Sequence, residues 1–160
     1  MNKYLKNPKK ILIIDLLYLG DLIFTLPFIK NVRNNYPDAR IDIVVNKNFS
    51  EILEGNSDLD NIYSYNKKNS LKKALNFTKK IKYENYDLGF NVHGNWRSIL
   101  LMYFSKIKYT VSYGDIWKSF FADKIINNNE KNIKKKKKYL SFLGKVGITV
   151  DNNKKTKLKV

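Results

Sequence analysis

The stretch from 10 to 37, KILIIDLLYLGDLIFTLPFIKNVRNNYP, restricts the fold more than any other part of the chain, because it reads as strand, glycine turn and helix in one piece. Residues 11–14 form a short, unbroken and largely β-branched apolar run, which suits a strand buried on both faces of a parallel sheet. Gly20 interrupts the run. Beyond it Leu22, Ile23, Leu26, Phe28, Ile29 and Val32 recur near i, i+3, i+4 and i+7, the spacing of a helix with one buried side. Asp21 stands where strand and helix meet, the place at which open α/β sheets put their ligands. Two readings of Asp21 are open at this point. It is either the helix N-cap, accepting backbone N–H bonds, or a general base with a substrate hydroxyl brought within reach. Pro27, tolerated only in a first helical turn, allows the helix to begin as late as Thr25.

The rest of the chain repeats the alternation. Strands are expected at 40–45, 61–65, 86–92 and 108–112, and helices at 49–53, from Ser70 to Ile81, at 99–104 and at 131–146; the segment 116–126 is aromatic and poorly periodic. Alternating elements of these lengths predict an α/β class chain with a doubly wound, Rossmann-like parallel sheet. Its 160 residues suffice for one domain. The expected division is a basic N-terminal tail over 1–9, the domain over 10–150, and the beginning of a further strand or linker over 151–160.

Cysteine is absent and His93 is the only histidine, so neither a thiolate nor a multi-histidine metal site can be built from this chain. No run of about 20 uncharged apolar residues is present to span a bilayer. The formal charge is +17, which on its own invites nucleic acid or anionic lipid as a partner. Of 31 basic residues, however, only Arg33, Arg40 and Arg97 are arginine, and the lysines are spread among many asparagines. That pattern is a compositional bias more than a phosphate-binding patch, which would favour the arginine fork. A basic flavodoxin-like module that binds nucleic acid or a protein partner without catalysis is therefore the second reading.

Several pieces fall in one order across 10–150: the opening Ile-Leu-Ile-Ile with Leu19-Gly20-Asp21, then Thr25-Leu26-Pro27, Tyr36-Pro37-Asp38-Ala39, Glu54-Gly55-Asn56-Ser57-Asp58, Tyr86-Asp87-Leu88, His93-Gly94-Asn95-Trp96-Arg97-Ser98, Val111-Ser112-Tyr113-Gly114 and Tyr139-Leu140. Together they resemble the N-terminal half of the ADP-heptose:lipopolysaccharide heptosyltransferase family, glycosyltransferase family 9. The resemblance implies a GT-B enzyme of two Rossmann-like domains, inverting and metal-independent. Such an enzyme transfers heptose or a related sugar from a nucleotide sugar to a lipopolysaccharide or other cell-envelope glycan. It implies that this chain is the acceptor-side domain, that an ADP-heptose-like donor is held by a C-terminal domain beyond residue 160, and that the 160 residues alone are inactive. No other cofactor is expected.

By the same resemblance Asp21 is the general base, and Tyr18, Gly20, His93, Gly94, Asn95, Arg97 and Tyr113 are candidates for acceptor binding. Asp15 departs from the family, which often carries a basic residue there. The residue types also have plainer uses. A lone histidine beside a glycine commonly holds a turn, Asn95 suits a helix cap, Gly20 and Gly94 suit turns, and Trp96, Tyr113 and Trp117 suit core packing. Arg97 falls in a helix's first turn, where the dipole disfavours a cation, which hints at an anionic ligand. The expected setting is cytoplasmic, with the lysines at 134–138 able to touch the inner membrane surface; nucleic acid is not an expected partner.

Overall fold

The computed structural model describes residues 2–115, 119–127 and 135–151. Trp117, Lys134 and the expected linker beyond Asp151 lie outside the described residues. Strands β1 (Lys10–Asp15), β2 (Arg40–Asn46), β3 (Asn61–Tyr65), β4 (Leu88–Asn91), β5 (Tyr109–Tyr113) and β6 (Lys124–Ile126) alternate with α1 (Lys3–Lys6), α2 (Leu19–Asn35), a 3-10 helix (Lys47–Leu53), α3 (Leu71–Tyr83), α4 (Trp96–Phe104) and α5 (Lys135–Lys145). The sheet runs β3-β2-β1-β4-β5-β6 and every pairing is parallel. This is the doubly wound, Rossmann-like order, with its switch point between β1 and β4.

The apolar run of β1 explains why the sheet is covered on both faces. Ile11 and Ile13 enter the core layer that contains Phe28, Ile29, Phe142 and Leu143 from α2 and α5. Leu12 and Ile14 enter the opposite layer with Ile81, Leu101 and Met102 from α3 and α4. Period-two alternation within a strand thus assigns neighbouring residues to different layers.

Three expectations need correction. The helix after β1 begins at Leu19, not Thr25, so Pro27 lies well inside it. Pro27 leaves the carbonyl of Ile23 without its intrahelical partner, and Ile23 is exposed, where water can take that bond. Residues 3–6, expected as a basic tail, form α1: Asn2 caps it, Leu5 is buried, and the Tyr36 hydroxyl donates to the Leu5 carbonyl at 2.7 Å. The aromatic segment before 127 contains a sixth strand, β6, whose three residues are too few to show a period.

Candidate active site at the carboxyl edge of the sheet

β1 ends in Asp15, and residues 16–18 carry the chain across the sheet edge into α2. Tyr18 is the cap residue of α2, and its carbonyl accepts the amides of Asp21 at 3.0 Å and Leu22 at 3.1 Å. Asp21 therefore sits inside the first helical turn and does not cap it, so the capping reading is set aside. Its residue is 8 % exposed. Gly20 does not make the break either. It lies exposed in the same turn with open space where a side chain would be, leaving the backbone beside Asp21 uncovered.

Behind that turn a buried polar network gathers at the switch point. The Asp15 carboxylate accepts the Leu17 amide at 3.1 Å and the Thr25 hydroxyl at 2.7 Å, and lies 3.0 Å from His93 Nε2. Thr25 Oγ1 is also 3.1 Å from the Asp21 carbonyl, one helical turn back. Its single proton serves one acceptor at a time, and the carboxylate is the nearer. Tyr139 Oη also approaches the imidazole, 3.3 Å from His93 Nδ1 and 3.4 Å from Nε2, with the rings edge to face at 5.4 Å. Burial, and then the carboxylate charges of Asp15 and Asp21, push the Tyr139 phenol well above the usual tyrosine range. The carboxylates of Asp15 and Asp21, the His93 imidazole and the Tyr139 phenol thus form one largely buried polar cluster. The sequence marks Asp15 as a departure from the family but not its partners, and Thr25 and Tyr139 enter only as members of matched runs. The signal was present only in Asp15, a carboxylate closing an otherwise apolar strand.

The matching strand end is β4. Asn91 Oδ1 accepts the Gly94 amide at 3.1 Å and so closes the turn that carries His93 to Asp15. Gly94 has φ +63°, and a Cβ there would overlap the Tyr113 carbonyl, so only glycine fits. Asn95 caps α4, accepting the Ser98 amide at 2.9 Å. Trp96 and Arg97 follow in the first turn of α4. Trp96, read from sequence as a packing residue, is instead 58 % exposed, and Arg97 stacks on its ring at 4.8 Å. Together with Leu17, Tyr18, Lys67 and Asn95 they line a cleft of about 200 Å³ beside the α2 turn. Tyr18 is 70 % exposed, with Lys67 Nζ 4.8 Å from its ring centroid.

Tyr18, Asn95 and Arg97 are therefore brought together, and Lys67 joins them from the loop after β3. His93 lies in the buried network, Gly94 in the turn and Gly20 on the exposed rim. Tyr113 takes a different place: it is buried, its ring tilts against Phe142 at 4.7 Å, and its hydroxyl donates to the Lys138 carbonyl. That is a packing position, with no phenol face turned to the cleft. Among the described residues no group of three or more His, Cys, Asp or Glu is placed to hold a metal ion, and no helix is long and apolar enough to cross a membrane.

No protein-family model matches the chain. Among curated proteins it is 31 % identical over 116 residues to lipopolysaccharide heptosyltransferase 3 of Escherichia coli K12, covering 66 % of this chain and 34 % of that protein. It is 26 % identical over 117 residues to the lipopolysaccharide core heptosyltransferase OpsX of Haemophilus influenzae, covering 72 % of this chain and 33 % of that protein. The matches thus span about a third of the length of these curated relatives. Among solved structures, a glycosyl transferase family 9 protein from Veillonella parvula superposes with a TM-score of 0.81 at 25 % identity, over 88 % of this chain and 42 % of that one. Escherichia coli heptosyltransferase WaaC with ADP superposes with a TM-score of 0.76 at 17 % identity, over 91 % of this chain and 49 % of that one.

Proposed function

We propose that this chain, a relative of glycosyltransferase family 9 in sequence and in fold, is the acceptor-side domain of a GT-B glycosyltransferase. The reaction is transfer of heptose or a related sugar from a nucleotide sugar to a lipopolysaccharide or other cell-envelope glycan, with inversion and without a metal. The domain takes in α1 as well as 10–150, and catalysis requires a donor-binding domain that these 160 residues do not contain. Work at a cytoplasmic site, at the inner face of the membrane, follows from such an acceptor.

The observation that carries this reading is the position of Asp21 in the first turn of α2, beside the β1–β4 switch point and above an open glycine. From there its carboxylate takes the proton of an acceptor hydroxyl as that oxygen bonds to the anomeric carbon. The bond from that carbon to the diphosphate breaks at the same step, and the nucleoside diphosphate leaves with the electron pair. The Asp15–Thr25 bond holds the turn that bears Asp21, and His93 meets the negative charge of Asp15. The outer cleft, with Tyr18, Asn95, Arg97 and Lys67, offers aromatic faces and cations to a charged sugar. His93, Gly94 and Gly20 shape the wall rather than grip the acceptor.

The test is sugar transfer by the natural full-length protein from ADP-heptose to a truncated lipopolysaccharide core, followed by mass spectrometry. Asp21→Asn keeps the shape and removes the base, so turnover falls by about 10²–10⁴-fold with little change in KM. Turnover equal to the unsubstituted protein sinks the assignment of the base. Absence of transfer from ADP-heptose and from other nucleotide sugars sinks the whole reading.

A further inference from the structure

We propose that the groove between α3 and α4 holds the alkyl chain of an anionic amphiphile whose charged end rests against Arg97 and Lys67. The proposal builds on the reading of the adjoining cleft as the acceptor site and extends it to the apolar part of that acceptor.

The sequence marks Leu71, Ala74, Leu75, Phe77, Thr78 and Ile81 as the apolar stripe of α3. A stripe of that kind normally lies against the core. Here only Thr78 and Ile81 are buried, while Leu71 is 78 % and Leu75 42 % exposed. Across from them α4 presents Trp96 and Phe104, both exposed as well. The space between the helices amounts to about 280 Å³, and its lining is mainly aliphatic and aromatic. Tyr65 closes the floor, edge to face with Phe77 at 5.0 Å.

Charge decides what covers this face. Lys67, Trp96 and Arg97 line both the groove and the 200 Å³ cleft at the start of α2, so the two spaces adjoin at one cationic waist. No carboxylate occurs among the residues lining either space. The Arg97 guanidinium, laid on the Trp96 ring, is held at that waist. An anion alone would leave the exposed leucines in water, and a neutral apolar ligand would bury two cations without partners. A flat protein partner wants about 800 Å² per side, more than a groove between two short helices supplies. A single molecule with an anionic end and an alkyl chain satisfies both halves.

The experiment titrates the chain with butyl, hexyl and octyl phosphate, each below its micelle concentration, by calorimetry and by amide chemical shifts. A methylene that is about half covered strengthens binding roughly twofold, so octyl phosphate binds on the order of tenfold more tightly than butyl phosphate. The shifts fall in 65–78 and 96–104. Leu75→Glu, and separately Leu75→Ser, remove the dependence on alkyl length, with circular dichroism unchanged because the site is exposed. Arg97→Gln weakens all three phosphates by a similar factor and leaves the length increment intact. Binding that depends on Arg97 but not on alkyl length overturns the groove and leaves the acceptor cleft standing. Equal binding of octyl trimethylammonium overturns the anionic end. A dimer of the chain that Leu75→Glu dissociates overturns the proposal in favour of self-association. Binding of neither the phosphates nor an anionic sugar removes both this proposal and the cleft reading beneath it.

Discussion

Replacing Gly94 by alanine tests how the strand-end geometry is built. The backbone there has φ +63°, which costs an alanine about 1–2 kcal/mol relative to glycine. The larger effect is steric, because the new Cβ overlaps the Tyr113 carbonyl, and a backbone oxygen cannot rotate away as a flexible side chain could. The turn must lift, and the Gly94 amide then leaves Asn91 Oδ1, a buried hydrogen bond of 3.1 Å. Asn91 Nδ2 is already buried without a hydrogen-bond partner, so its amide would have none at all. An orphaned buried polar group adds about 1–3 kcal/mol. The expected loss is therefore about 2–5 kcal/mol, a large part of the stability of an ordinary domain. Urea unfolding followed by circular dichroism reads it as a midpoint lowered by roughly 1–2 M. Gly20→Ala is the matched control, since that glycine has open space around it and sits in a helix. It should be neutral or stabilise by about 0.5 kcal/mol. A loss below about 1 kcal/mol for Gly94→Ala, or an equal loss at the two sites, refutes the reasoning.

Three further outcomes follow from the same contacts. His93→Gln removes the imidazole that faces the buried Asp15 carboxylate at 3.0 Å, and should cost about 1–3 kcal/mol in urea unfolding; adding Asp15→Asn should recover part of it, and strict additivity of the two losses would deny the coupling. Tyr86→Phe takes a hydroxyl donor from Asp42, which is wholly buried, so a loss of about 1.5–3 kcal/mol is expected by thermal or urea unfolding, and a neutral result would show that Arg40 and Asn61 suffice for that carboxylate. Burial alone would raise the Asp87 pKa, but the Lys108 ammonium and the amides of Lys9 and Lys10 more than offset it and hold the carboxylate below its usual range. A depressed folded pKa contributes stability that is present above the unfolded value near pH 4 and is lost as pH falls through the folded one. Melting temperature should accordingly be level from about pH 5 to 7 and drop below about pH 4, and the drop should be smaller in Asp87→Asn; an unchanged acid limb would contradict it.

The fold was legible because its signals are local. β3 was placed at its observed bounds, and β1, β2, β4 and β5 to within a residue or two at most ends, since buried parallel strands write themselves as β-branched runs between turn residues. The boundaries failed where a local rule was overridden from outside. Pro27 should have ended or begun a helix, yet α2 runs through it, because Leu22, Leu26, Phe28 and Ile29 around it are all fixed in the core and Ile23, whose carbonyl is freed, is exposed. Leu5 drew α1 onto the domain in the same way, against a charge pattern that reads as a tail.

The site was legible only in part, and the reason is distance along the chain. The placement of Asp21, Asn95 and Arg97 at strand-to-helix junctions is readable, because it is a property of a few consecutive residues; their proposed roles rest on the fold around them. The network behind Asp21 has no such signature: His93 and Tyr139 stand 46 residues apart and meet only because α5 packs beside α2 over the end of β1. Asp15 and Thr25 are separated by a turn whose path the sequence does not fix. The same logic accounts for α3, where periodicity marks the apolar stripe but cannot say that its first turns stay exposed among the described residues. Periodicity reports which face of a helix avoids water, and only the assembled neighbours report what that face meets. An apolar stripe left half open beside Lys67 and Arg97 is thus the ground for the proposed alkyl site, reached through a sequence rule whose usual partner in the core is absent among the described residues.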